Sequence, residues 1–130
     1  MMSKWDEKYR LHVEKIDEQH KELFRLSAIV ENLDENTTKE DIKKLLNSFF
    51  IYMREHFRDE EEYMKKIGYP LLKQHHELHH EIINEFTILV KENHTIKSLK
   101  EKMQIATKKW LIDHILQNDL KIEKWRVANS

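Results

Sequence analysis

Apolar residues return every three or four positions through most of the chain, the period of an amphipathic helix. A first stripe joins Ile16, His20, Leu23, Phe24, Ser27 and Val30, then fades in the turn-forming run Asn32-Leu33-Asp34-Glu35-Asn36-Thr37-Thr38. A second takes in Ile42, Leu45, Leu46, Phe49, Met53, His56, Phe57, Glu60, Met64 and Ile67, and a third Leu71, His75, Leu78, His79, Ile82, Phe86 and Leu89. The fourth comprises Ile96, Leu99, Met103, Ala106, Trp110, Leu111 and His114. Stop and start signals separate them. Asp17 suits an N-cap or first-turn acid, Thr37 with Glu40 fits a capping box, and Thr95 suits the N-cap of the fourth helix. Gly68 suits the end of the second helix and Pro70 the first turn of the third. His94 falls in a turn and reads as exposed.

These signals predict helices over about 17–33, 39–67, 70–92 and 96–118. Residues 1–15 carry Trp5, Tyr9, Leu11 and Val13 without helical spacing, and read as an arm packed across the helices. Residues 120–130 read as a short tail in which Ile122 and Trp125 pack back. Short connections between amphipathic helices imply an all-α fold, an up-down-up-down antiparallel four-helix bundle with an N-terminal arm.

Composition narrows the picture. A chain of 130 residues fits one domain, 1–130, with a core of its own. One glycine and one proline argue for long helices and against a turn-rich β fold. Lys+Arg 23 against Asp+Glu 24 provides no basic field for nucleic acid. With no cysteine, neither disulfides nor thiolate metal sites are available. The N-terminus lacks an apolar signal-like region and no apolar run approaches membrane-spanning length, so a cytoplasmic location is expected.

Polar residues inside the stripes then become the problem to explain. His20, His56, His75, His79 and His114 all fall on inward faces, together with Glu60, and Asp119 follows His114 by five residues. One inward histidine is more often a hydrogen-bonded core residue than a ligand. Five of them on four converging stripes would leave many buried polar groups to satisfy. A carboxylate on an apolar face is costly unless positive charge meets it. Asp59, Glu61 and Glu62 flank the stripe and read as a solvated acidic face. Imidazole and carboxylate donors without sulfur favour a first-row metal such as iron, zinc, copper or manganese. Seven donors exceed one tetrahedral zinc, so two metals bridged by the carboxylates are the economical reading.

The runs I-D-E-Q-H at 16–20, H-F-x-x-E at 56–60, G-Y-P-x-x-x-x-H-x-x-x-H at 68–79 and W-L-x-x-H-x-x-x-x-D at 110–119 resemble a hemerythrin domain of bacterial type. The likeness extends from Trp5 to about Ile122, and only Leu11-His12-Val13 departs mildly from the family's usual small residue, a matter of arm packing. The resemblance implies two iron ions per chain (Fe2+/Fe3+) with an oxo or hydroxo bridge. His20 and His56 would hold one iron, His75, His79 and His114 the other, with Glu60 and Asp119 bridging both. It implies O2 as ligand, bound reversibly for storage, transport or delivery, and a carrier rather than an enzyme. With no partner domain in the sequence, a stand-alone carrier is expected. Leu23, Phe24, Phe57, Trp110, Leu111 and Ile112 are the expected neighbours of the oxygen pocket.

Other readings use overlapping residues. The same ligands would serve oxygen, nitric oxide or peroxide sensing, or a di-iron oxidase. His76-Glu77-Leu78-His79-His80 contains a literal H-E-x-x-H, the pattern of a zinc metalloprotease with Glu77 as general base. Its phase differs: His76 and His80 align with Leu72, Ile83 and Thr87, a weaker stripe than that of His75 and His79. A ferritin-like oxidase needs an inward Glu-x-x-His on two helices, and only Glu77-x-x-His80 fits, on that same face.

Overall fold

The computed structural model describes residues 4–92 and 95–130, apart from the side chain of Trp110. His94, expected to be exposed, and the Trp110 side chain, expected at the oxygen pocket, lie outside the described residues. All regular structure among those residues is helical. Helix α1 spans Glu14–Glu31, α2 Lys39–Ile67, α3 Leu72–Lys91 and α4 Ile96–Ile105. The helical path after α4 widens into π-helical turns at Ala106–Ile112 and Ile115–Asp119, then continues as α5, Leu120–Ala128. Helix α1 packs on α2 and α2 on α3, while α4 and the π turn after it touch both α1 and α3.

The expected tail at 120–130 is therefore helical to Ala128. Ile122 is fully buried there and Trp125 meets the Tyr69 ring edge-on at 5.7 Å, so apolar contact carries the helix past Asp119. At the other ends, local hydrogen bonds explain the shifts. Helix α1 begins at Glu14, so Asp17 is a first-turn acid and not the N-cap, its buried carboxylate accepting from the backbone of Leu11 at 2.7 Å. Leu11 is drawn inward at 1% exposure, and the chain reverses at His12, whose φ of 60° is in the left-handed region. The capping box of α2 belongs to Thr38 and Asp41, one residue beyond Thr37 and Glu40; Thr37 is engaged with Asp34 in the preceding turn.

Gly68 closes α2 in the left-handed conformation, φ 74°, which an L side chain adopts only at a cost. The following Tyr69 is buried, its N–H donating back to Met64. Pro70 and Leu71 lie in the connection that follows, so α3 starts at Leu72 and the Leu71 side chain is exposed. Ile96, taken from the sequence as inward, is also exposed; it opens α4 beyond the packed face, with Thr95 accepting from Ser98 as its cap.

Apolar side chains form two clusters. The larger holds Leu23, Phe49, Phe57, Phe86, Leu111 and Ile115 among others, and the smaller Leu11, Ile16, Met64, Tyr69 and Ile122. In the arm, Trp5 and Tyr9 pack against Phe24 of α1, their ring centroids each 5.8 Å from its own. The sequence order shows what lies between the clusters. His20 falls between Ile16 and Leu23, Glu60 between Phe57 and Met64, and Asp119 between Ile115 and Ile122. A polar layer is thus enclosed by apolar packing on both sides.

Candidate metal centre

Helical periodicity positions the layer. His56 and Glu60, one turn apart on α2, share its inward face, as His75 and His79 do on α3. His20 enters from α1. The fourth contribution needs a different device, because His114 and Asp119 are five residues apart and in an α-helix would diverge by about 140°. The π-helical turn Ile115–Asp119 takes up the extra residue, since its hydrogen bonds close over five positions. It brings Asp119 Oδ1 to 3.0 Å from His114 Nε2.

All seven of these residues are at most 5% exposed. Their donor atoms fall into two groups that share both carboxylates. One is His20, His56, Glu60 and Asp119; the other is Glu60, His75, His79, His114 and Asp119. Within each group the ligand atoms lie within 4.8 Å of one another. The two oxygens of each carboxylate divide between them. Glu60 Oε2 is 3.4 Å from His20 Nε2 and 3.2 Å from His56 Nε2, while its Oε1 is 2.7 Å from His75 Nε2 and 3.1 Å from His79 Nε2. Asp119 Oδ2 accepts from His20 at 2.9 Å, and its Oδ1 faces His75 at 2.8 Å as well as His114.

Proximity here is not the same as hydrogen bonding. His56 Nε2, His114 Nε2, Glu60 Oε2 and Asp119 Oδ1 are buried without a partner in hydrogen-bonding direction, despite neighbours within contact distance. Such orphan atoms are costly, and their convergence fits a cation better than a network of side chains. The electrostatics agree. Burial and repulsion from Asp119 oppose ionisation of Glu60, yet His56 and His20 hold it well below the ordinary carboxylate range. Burial also opposes the Asp119 carboxylate, and His114, His20 and His56 hold it well below its usual value. Burial disfavours the charged form of the rings too, but Asp119 and Glu60 raise His20 to about 9 and His75 to about 10. Two ionised carboxylates in the core draw positive charge to themselves. The donor set fits one metal ion in each group.

The outer edges of two rings are fixed as well, by residues beyond the seven donors. His56 Nδ1–H donates to Gln19 Oε1 at 2.9 Å, and Gln19 Nε2 donates to Asp59 at 2.7 Å. His79 Nδ1–H donates to Glu61 Oε2 at 2.9 Å. Asp59 and Glu61 thus do not belong to a solvated acidic face; Glu62 alone of the three is exposed. Burial opposes ionisation of Glu61, and His79 and His76 outweigh it, lowering its pKa. Carboxylate or carbonyl partners of this kind set the tautomer and aim of a ligating imidazole. Each of these residues is the sequence neighbour of an inward donor, but a polar residue at that position is no departure from the pattern of a helix surface.

Of the expected pocket residues, Leu23, Phe24, Phe57, Leu111 and Ile112 are buried in the larger cluster. Phe57 stacks on the His79 ring with centroids 3.9 Å apart and planes 7° from parallel, and Phe24 is turned toward Trp5 and Tyr9 of the arm. His76 and His80 are exposed on α3 and belong to neither donor group. No strand is present among the described residues to hold an extended peptide, and none of their helices is long and apolar enough to cross a membrane.

An all-helical chain with a buried layer of imidazoles and carboxylates defines a cation-binding helical domain. The hemerythrin HHE cation binding domain model matches residues 11–125. The chain is 31% identical over 112 residues to a bacteriohemerythrin of Campylobacter jejuni subsp. jejuni, covering 85% of this chain and 84% of that protein. It is 33% identical over 122 residues to the myohemerythrin of Theromyzon tessulatum, covering 90% and 88% respectively. A hemerythrin-like protein of Naegleria gruberi is 27% identical over 117 residues, with 90% and 87% covered. The chain belongs to the hemerythrin family, whose known function is oxygen binding and whose domain implies a di-iron site.

Proposed function

We propose that this protein binds O2 reversibly at a non-heme di-iron centre, as an oxygen store or carrier rather than an enzyme. The observation that carries the reading is the division of each carboxylate between the two histidine groups, which is what bridging ligands require. His20 and His56 would hold one iron and His75, His79 and His114 the other, with Glu60 and Asp119 shared. The bundle these residues need is an up-down-up-down one, a topology supported by short connections and by the packing of α4 on both α1 and α3.

Two iron ions bound there would supply the electrons that O2 takes up and, on the side with fewer imidazoles, a coordination position for it. The chain's own residues supply the rest. Gln19 and Glu61 orient His56 and His79 from outside. Phe57, stacked flat on His79, together with Leu23 and Leu111 excludes water from the donor layer. A dry, fixed site disfavours loss of charged species to solvent and so suits reversible binding.

The test is optical. The iron-loaded, reduced protein is exposed to air and then to vacuum through several cycles. A visible charge-transfer band that appears and disappears with oxygen, with about one O2 taken up per two irons, is the expected result. A single irreversible oxidation with no recoverable band would overturn the carrier role and favour oxidase or peroxide chemistry at the same residues.

A further inference from the structure

The pair His76 and His80 is unused by the core centre, and its geometry is that of a chelate. The two imidazoles are one helical turn apart on the exposed face of α3, with ring centroids 4.5 Å apart. Their Nε2 atoms face each other at 3.0 Å. Two imidazole nitrogens bound to one zinc at about 2.0–2.1 Å, at an octahedral or tetrahedral angle, stand about 2.9–3.4 Å apart. The observed separation falls within that span.

The tautomer is set correctly too. His76 Nδ1 faces Glu61 Oε1, and a carboxylate can only accept, so the ring carries its hydrogen on Nδ1. The His76 Nε2 lone pair then accepts from His80 Nε2–H, and a metal ion would take the place of that hydrogen once His80 shifts its proton to Nδ1 or releases it. A carboxylate behind the non-ligating nitrogen is the support that metal-bound histidines regularly have. Glu61 holds His76 with one oxygen and His79 with the other, so the same side chain backs a surface imidazole and a core one.

We propose that His76 and His80, backed by Glu61, form a separate surface site for a first-row divalent transition ion. Imidazole donors with water completing the shell suit zinc, nickel or copper. The site differs from the core centre in having two protein ligands, in being open to solvent, and in binding an ion that exchanges freely. It does not depend on the core centre holding iron.

Zinc titrated calorimetrically into the air-oxidised, iron-loaded protein tests this, with zinc stoichiometry read from the titration and iron counted after gel filtration. One zinc per chain should bind without loss of iron. His80→Ala should abolish that binding and leave iron content unchanged, whereas His12→Ala, at an exposed histidine of the arm, should leave zinc binding intact. Glu61→Gln should weaken zinc binding by about 10–100-fold. Equal zinc uptake by the wild type and the His80→Ala protein, or none by the wild type, would overturn the proposal. Low iron content in every protein would count against the di-iron reading alone, since the zinc comparison is made separately.

Discussion

At the scale of single residues, Glu60, Glu61 and Glu62 are consecutive acids with three different surroundings. Glu60 is fully buried among imidazoles, Glu61 lies at the α2–α3 seam against His79 and His76, and Glu62 is exposed. Each step along a helix turns the side chain by about 100°, so adjacent positions need not share an environment. Glu60→Ala should empty both halves of the centre, because its two oxygens serve both. Glu61→Ala should leave the ligands in place but let the His79 ring turn, weakening iron retention against a chelator by about 10–100-fold. Glu62→Ala should change nothing measurable in iron retention. Equal iron loss from all three would mean that these surroundings are misassigned. The inward donors were legible because an acid or imidazole within an apolar stripe violates the pattern around it. Glu61 was not, because a polar residue beside a stripe violates nothing; only the approach of α3 turns it from a solvated acid into a support.

At the scale of elements, the long regular stretches follow the hydrophobic period closely, and the departures occur where a local bond competes with it. The start of α2 is one such place. Thr38 Oγ1 accepts from Asp41 N at 3.1 Å and the Asp41 carboxylate accepts from Thr38 N at 3.1 Å. Thr37 and Glu40 fit the same box in sequence, and nothing in the period chooses between registers one residue apart. Thr38→Ala should lower stability by about 1 kcal/mol, read from denaturant unfolding. Thr37→Ala, in an exposed turn, should cost under about 0.5 kcal/mol. The reverse order would restore the register read from sequence. The stretch after His114 illustrates a deeper limit. A five-residue step cannot stay on one face at 3.6 residues per turn, so the pattern places Asp119 off the face and near a helix end. The π-helical turn removes that conflict, and the helix continues through Ile122. A widened turn has no apolar signature of its own and becomes visible only in three dimensions.

At the scale of the whole molecule, the layered core explains why one chain tolerates so many buried polar groups. Apolar clusters on either side supply the driving force for folding, and the polar layer between them is satisfied as a unit or not at all. Which histidine pair of α3 faces inward decides the composition of that layer, because α3 offers two overlapping pairs. His75 and His79 are buried against Glu60, and His76 and His80 face solvent. Iron per chain, measured after loading and removal of loosely held metal, separates them directly. The wild type should retain two irons, and His75→Ala or His79→Ala should retain fewer and lose the oxygen-dependent band. The double variant His76→Ala/His80→Ala should keep both irons and the band. Loss of iron from that double variant, with His75→Ala and His79→Ala fully loaded, would contradict the account.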